Sequence, residues 1–360
     1  MAHTLDIVIP VYRGEAETRA CLASVFSSAN HRRVEVVVVD DASPEPAISA
    51  WLKELAAEGH ITLIAHAENK GFVQSVNDGM SLHRDRDVVL LNSDTEVAPG
   101  WVDRLMAHFE NDPTIGTATP FSTNATICSY PRAHASNKLP PGETTRSLDA
   151  AFAAANAGRR VDIPTAVGFC MAISRACLDR VGLFDVERYG RGYGEEVDFC
   201  MRAARAGFRN VLAGDVFVLH VGEVSFKGSG SERRQQAQAM VDGLYPEFQE
   251  QLAEFIPADP PRVLRRRADL QRLRGHPESL RITEADGITR IDWPHPGEEF
   301  VLWLETVRDA AAIGRIQSAV RRGAALPELE PQWLHPPGED GRPGRQPGLL
   351  ARLLRIFRGR

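Results

Sequence analysis

Two stretches of the chain bury apolar residues and then stop on carboxylates. Val36, Val37, Val38 and Val39 lead directly into Asp40 and Asp41, and Val88, Val89, Leu90 and Leu91 into Asn92, Ser93 and Asp94. An ionised carboxylate only accepts hydrogen bonds, so at a binding edge it selects polar N–H or O–H groups. A third acidic set, Glu195, Glu196 and Asp198, opens a segment of helical period over 195–206, where acids in the first turn suit the helix dipole. His220 ends a further apolar run, "VFVLH". Each feature has a plain alternative: a turn former or helix cap for the aspartates, dipole partners for the first-turn acids, a structural or exposed side chain for the histidine. Repetition of the acid at strand ends asks for a shared explanation.

The elements around these residues supply one. Short apolar runs alternate with helical segments from the start: "LDIVIP", a helix over 16–28, "VEVVVVD", a helix over 46–57, "ITLIA", a helix over 71–82, then "DVVLL". Continuous rather than alternating hydrophobicity predicts strands covered on both faces, as in a parallel, doubly wound α/β sheet. Ligands of such sheets bind outside the carboxyl ends of the strands, which is where Asp40, Asp41 and Asp94 stand.

Further along, a strand is expected over 114–119, then a polar excursion to about 162 that contains a short helix over 147–157. "IPTAVGFCMAISR", "NVLAG" and "VFVLH" read as strands, and 231–255 as one long polar helix with a break over 257–261. "RVLRRRADLQRLR" is rich in arginine. "LRITEADGITRIDWP" is a hairpin signal with Asp286 and Gly287 at the turn, followed by a strand "FVLWL" and a helix through Val320. The expected division is a main domain over 1–228, a helical extension over 229–275, a small α+β unit over 276–325, and a linker with a basic tail over 326–360.

With 360 residues, 43% of them hydrophobic, the chain can bury a core. A formal net charge of −6 gives no electrostatic case for nucleic acid as a partner. Five scattered cysteines without a C-x-x-C pair point to buried thiols rather than a disulfide framework or a zinc site. Neither a signal-peptide pattern nor an apolar run of about 20 residues is present, so the expected location is the cytoplasm. The final "LLARLLRIFRGR" puts Leu349, Leu350, Leu353, Leu354 and Phe357 on one helical face beside Arg352 and Arg355. That pattern suits either the interface of an anionic membrane, which extends the expected location to the inner face of the cytoplasmic membrane, or packing on the chain's own domain or a partner.

Taken in order, "VIPVYRG", "VVVDDAS", "NKGFVQSVNDGM", "LLNSDTEV", "GEEVDFCMR" and "VLHVGEVSF" resemble the inverting family 2 glycosyltransferases of GT-A fold. Within them the likeness is to bacterial enzymes that transfer rhamnose and related sugars onto surface polysaccharides. It covers residues 5–226. The small unit over 279–320 is more loosely similar to the segment that follows such a domain in larger bacterial glycosyltransferases, which would make this chain a shortened relative.

The resemblance implies a nucleotide-sugar donor, dTDP- or UDP-activated with dTDP-rhamnose first, and a hydroxyl acceptor on a glycan or lipid-linked molecule. Pro10, Val11 and Tyr12, with Asp40 and Asp41, would hold the base; Asn69 and Lys70 would lie near the phosphates, with Asn77 also toward the donor. Asn92, Ser93 and Asp94 occupy the place of the D-x-D-type motif. Asp94 and His220 would bind a divalent cation, Mg or Mn. Glu196 stands where the general base is found, between Glu195 and Asp198, and Gly190, Gly192 and Gly194 would let the preceding loop act as a lid. Two departures stand out: Asn92 removes one charge from the motif, and Glu196 replaces the usual aspartate. They leave open a noncatalytic nucleotide-sugar-binding or scaffold protein. A nucleotidyltransferase would need a glycine-rich triphosphate loop, for which "VIPVYRGEAETRA" offers only Gly14 and two arginines.

Overall fold

A computed structural model describes residues 4–140, 142–190, 192–222, 231–273, 281–285, 288–293, 300–305 and 310–322. The first half alternates β1 (Leu5–Val11), α1 (Glu15–Ser27), β2 (Val34–Asp40), α2 (Pro46–Ala57), β3 (Thr62–Ala65), α3 (Phe72–Met80) and β4 (Val88–Leu91). Then come β5 (Thr95–Glu96), α4 (Trp101–Asn111), β6 (Ile115–Phe121), α5 (Thr145–Asn156), β7 (Arg160–Asp162), β8 (Cys170–Ile173), α6 (Arg175–Val181), α7 (Val186–Tyr189) and α8 (Glu195–Arg205). The remainder is β9 (Arg209–Phe217), β10 (Leu219–His220), α9 (Ser231–Leu244), α10 (Pro246–Ala258), α11 (Arg262–Leu273), β11 (Arg281–Ala285), β12 (Ile288–Trp293), β13 (Phe300–Glu305) and α12 (Ala310–Arg321).

Among the described residues the main sheet has the order β3-β2-β1-β4-β8-β6-β9-β7. β1 to β4 are mutually parallel, as are β6 and β9, whereas β8 and β7 run antiparallel to their neighbours. The apolar runs are continuous because successive side chains enter two different cores. Ile7, Ile9 and Val38 join one, Val8, Val37 and Val39 the other.

The structure differs from the sequence expectations in three places. "IPTAVGFCMAISR" is a strand only over Cys170–Ile173; residues 164–169 are a loop that climbs from the amino end of β9, where the Ile163 N–H donates to the Asn210 carbonyl, to the carboxyl end of β4, where Cys170 pairs with Leu91. "NVLAG" and the start of "VFVLH" are one strand, β9, through Gly214. That glycine marks a close approach rather than a strand end: an added Cβ would lie 2.7 Å from Leu264 Cδ1 and 2.9 Å from the Arg159 carbonyl. The polar helix expected over 231–255 is two helices, because Pro246 has no N–H to continue α9 and instead opens α10. Helices α9, α10 and α11 contribute to both cores of the sheet. Phe248, Leu252 and Ile256 fill one core and Leu264 and Ala268 the other, each large side chain contributing roughly 1.5–3 kcal/mol of burial.

The hairpin forms as β11 and β12, with β13 beside it. Its turn, residues 223–226 of the "HVGEVSF" motif, and the whole tail lie outside the described residues.

Candidate active site

β4 delivers Asn92, Ser93 and Asp94 to the carboxyl edge, and the ribbon of β5 with β10 brings His220 back beside them. Asp94 Oδ1 lies 3.4 Å from His220 Nε2, and Asp94 Oδ2 accepts the Gly222 N–H at 3.1 Å. On its far side His220 Nδ1 is 2.7 Å from the Asn124 carbonyl oxygen. A carbonyl only accepts, so Nδ1 carries a proton, and in the neutral ring Nε2 turns its lone pair toward the carboxylate. Two acceptors that face each other need a proton or a cation between them. Anchoring the remote nitrogen on a carbonyl is how metal-binding histidines are oriented. One carboxylate with one imidazole is a donor set that fits Mg or Mn, the nitrogen favouring Mn.

The loop before β8 joins this pair to the acidic helix. Phe169 stacks on the His220 ring, centroids 5.1 Å apart, and its carbonyl accepts the Asn92 N–H at 2.8 Å. The neighbouring Gly168 faces α8: an added Cβ would come 4.0 Å from Glu196 Oε1. Asp94, His220 and Glu196 are therefore brought to the two sides of a single short turn. Nothing in the local pattern marks Phe169, Gly168 or Asn124 as site residues: the first two read as strand and the third as part of a polar excursion.

Glu195 is buried and Glu196 partly so, and in both the Oε2 atom meets no hydrogen-bond partner among the described residues. Burial pushes both carboxyls up, and Glu195 is raised further by the negative charge of Glu196 beside it. Asp198 differs. Its Oδ2 accepts from Arg202 Nε at 2.8 Å and its Oδ1 from the Tyr245 hydroxyl at 2.6 Å, so the third acid of the set faces the interior with both oxygens taken.

Along the same edge, the ends of β1 and β2 are tied together by the Asp41 N–H donating to the Val11 carbonyl at 2.8 Å. Pro10 and Tyr12 flank this bond half-buried, Tyr12 with the Arg13 guanidinium 5.2 Å from its ring centre. The Asp41 carboxylate accepts the Lys70 and Gly71 N–H groups at 2.7 and 2.8 Å and faces His66 Nδ1 at 2.7 Å. The N–H groups of Lys70 and Gly71 are therefore aimed at Asp41 and are not free for phosphate. What stays accessible is the Lys70 ammonium, 3.7 Å from Asp78. Asn69 donates weakly, at 3.4 Å, to the Asp41 carbonyl. Asp40 is engaged on both oxygens, by the Ser43 N–H and the Ser49 hydroxyl, which makes it a loop anchor. Asn77 is a latch: its amide donates to the Phe184 carbonyl and accepts the Phe184 N–H, so it faces α7 rather than the edge.

Residues 6–182 match the model of the family described as Glycosyl transferase family 2. Over these residues, just under half of its length, the chain is similar to that family. It is 27% identical over 210 residues to the pre-mycofactocin glycosyltransferase of Mycobacterium tuberculosis, a match that covers 57% of this chain and 40% of that protein. A second relative is the glycosyltransferase GlyA of Streptococcus pneumoniae serotype 4, 26% identical over 121 residues, covering 33% of this chain and 17% of that one. The chain thus spans less than half the length of these relatives. Among solved structures it resembles GalNAc-T7 with UDP, GalNAc and Mn2+, at a TM-score of 0.50 and 16% identity over 84% of this chain and 67% of that one. That likeness is one of fold, and the fold is GT-A.

The match to the family 2 domain includes Asp94 and stops before α8 and His220. A group of three possible metal ligands among the described residues is elsewhere: Asp6, Glu35 and His83, with donor atoms within 4.8 Å of one another. It sits at the amino ends of β1 and β2, and Arg86 fills it, donating to Asp6 at 2.8 Å and to Glu35 at 2.6 Å. A guanidinium already supplies the positive charge there.

Proposed function

We propose that the chain is an inverting glycosyltransferase in which Asp94 and His220 hold a divalent cation, Mg or Mn, and Glu196 is the general base. The observation that carries this reading is the pair of facing acceptors, Asp94 Oδ1 and His220 Nε2 at 3.4 Å, one short turn away from a carboxyl whose burial raises its proton affinity. When bound, the cation supplies charge neutralisation for the diphosphate leaving group.

The rest is done by side chains. Glu196 takes the proton of the acceptor hydroxyl as that oxygen bonds to the anomeric carbon, and the bond from that carbon to the diphosphate oxygen breaks on the opposite face. A base poised in a partly buried first helical turn is better matched to a hydroxyl proton than an exposed carboxylate. Asp41 holds the turn at Lys70 and Gly71 against the end of β2, which keeps the Lys70 ammonium on the edge where a diphosphate lies. The donor is a dTDP- or UDP-sugar, dTDP-rhamnose being the first to try, and the acceptor a glycan or lipid-linked hydroxyl.

The test is nucleotide release from a panel of dTDP- and UDP-sugars with Mg²⁺, Mn²⁺ or EDTA, for wild type, Asp94→Ala and Glu196→Gln. Metal-dependent release from one donor that both variants lose supports the reading. Donor binding without release in any metal, with or without glycan acceptors, overturns it in favour of a noncatalytic binding protein.

A further inference from the structure

Helix α8 is gripped from one side by the corner between α9 and α10, beyond the residues that match the family. Three contacts run up that side. At the start, Gly194 abuts α9 and α7: an added Cβ would lie 3.3 Å from Val241 Cγ2 of α9 and 3.0 Å from Tyr189 Cε1 of α7. In the middle, the Tyr245 hydroxyl donates to Asp198 Oδ1 at 2.6 Å. At the end, Arg205 donates to Glu247 at 2.6 Å and to the Leu244 carbonyl at 3.2 Å, with its guanidinium 4.6 Å from the Tyr245 ring centre.

Residues 194, 198, 202 and 205 share one helical face, whereas a residue two positions from 194 or 198 points about 160–200° away. Glu196 is that residue. Its side chain faces Gly168 on the side of Asp94 and His220, while the opposite face of the same two turns is bolted to the corner.

We propose that Tyr245 is a positioning residue for the reaction: by holding Asp198 it fixes the rotation of α8 and so the place of the Glu196 carboxylate. The inference rests on the reading of Glu196 as base. Asp198 is the centre of the clamp, since its other oxygen takes Arg202 Nε, and Arg202 continues to the carbonyls of Val181 and Leu183 at the end of α6. α8 is thereby fastened to two elements at once. Burial and the adjacent Asp198 push the Tyr245 hydroxyl up to about 12, so it stays a donor throughout the working pH range. The structure thus gives the third acid of "GEEVD" a mechanical part, and extends the working domain past residue 228 into the helical extension.

The experiment is steady-state nucleotide release by the full chain, from the donor the panel selects, for wild type, Tyr245→Phe, Asp198→Asn, the double variant and Glu196→Gln, with a melting curve for each. Tyr245→Phe is expected to lower kcat about 10-fold to 100-fold, the range a displaced catalytic group produces, with the donor KM within about twofold. The double variant should fall no further than the worse single, since both remove one contact. If Tyr245→Phe fails to fold, Arg205→Met, in which a half-exposed side chain is changed, should show the same split at about threefold in kcat. Unchanged kcat in Tyr245→Phe with Glu196→Gln inactive overturns the clamp and leaves the base standing. Parallel change of kcat and KM with a lowered melting temperature reduces Tyr245 to a stabilising contact and also overturns it. Full activity in Glu196→Gln removes the base and the clamp together.

Discussion

The two ends of the sheet each hold an aspartate facing a histidine, and they come to opposite results. At the amino end, Asp6 meets His83 at 2.9 Å, and Arg86 joins Asp6 to Glu35. Against the upward push of its partial burial, Glu35 is held below the ordinary carboxylate range by hydrogen bonds from Arg86 and Thr62. At the carboxyl end, Asp94 meets His220 at 3.4 Å with only a backbone N–H as a further described partner, and Glu195 and Glu196 nearby are raised by burial. The amino end has its counter-charge built in; the carboxyl end has acceptors awaiting one. A cluster of acids therefore says little by itself, and its unfilled lone pairs say where a ligand belongs.

Substitutions at the two ends break or sharpen that contrast. The largest effect is expected at Glu196→Gln, with kcat lowered about 10²–10⁴-fold and donor binding by calorimetry unchanged, as for removal of a general base. Asp94→Ala and His220→Ala should each lower turnover roughly 10²-fold and abolish stimulation by added Mn²⁺ in a metal titration.

A pH profile tests the environment rather than the identity of the base. Because burial raises the Glu196 carboxyl, the base form is lost as pH falls through a midpoint above the ordinary value of about 4.3, and kcat should show its acid limb there. An acid limb at or below that value would mean that the carboxyl is solvated in the working enzyme.

Arg86→Met should instead lower stability by about 2 kcal/mol in urea unfolding and leave turnover per folded molecule unchanged, because buried Asp6 loses its main partner. His83→Gln, the smallest change, should cost less than about 1 kcal/mol, since an amide can still donate to Asp6. Loss of turnover in Arg86→Met, with folding intact, would mean that the two ends are not separate in function.

Much of the fold was legible in local pattern. Pro46–Ala57, for instance, matches the helix read from its period, and the valine run of β2 declared a strand covered on both faces. Where the reading failed, distant contacts decided. Gly214 reads as a break until Leu264 and Arg159 are seen against it, and the loop over 164–169 has the composition of a strand but must bridge β7 and β8. Among site residues, Asp40, Asn77 and Asp198 have the same chemistry as those that face the edge. Their partners, Ser49, Phe184 and Tyr245, could be named only from the folded chain.

The sequence by itself determined which carboxylates end buried strands, because hydrophobic runs and strand direction are local properties. It also placed Asp94 and His220 as residues worth pairing through the likeness of their motifs. Only the tertiary structure decided that a ribbon of β5 and β10 closes those two to 3.4 Å, that Arg86 silences the aspartate–histidine pair at the amino end, and that α8 turns Glu196 outward while Asp198 is held inward. Those outcomes depend on which lone pairs are already filled, and a lone pair is filled by a partner that folding, not chain order, brings within reach.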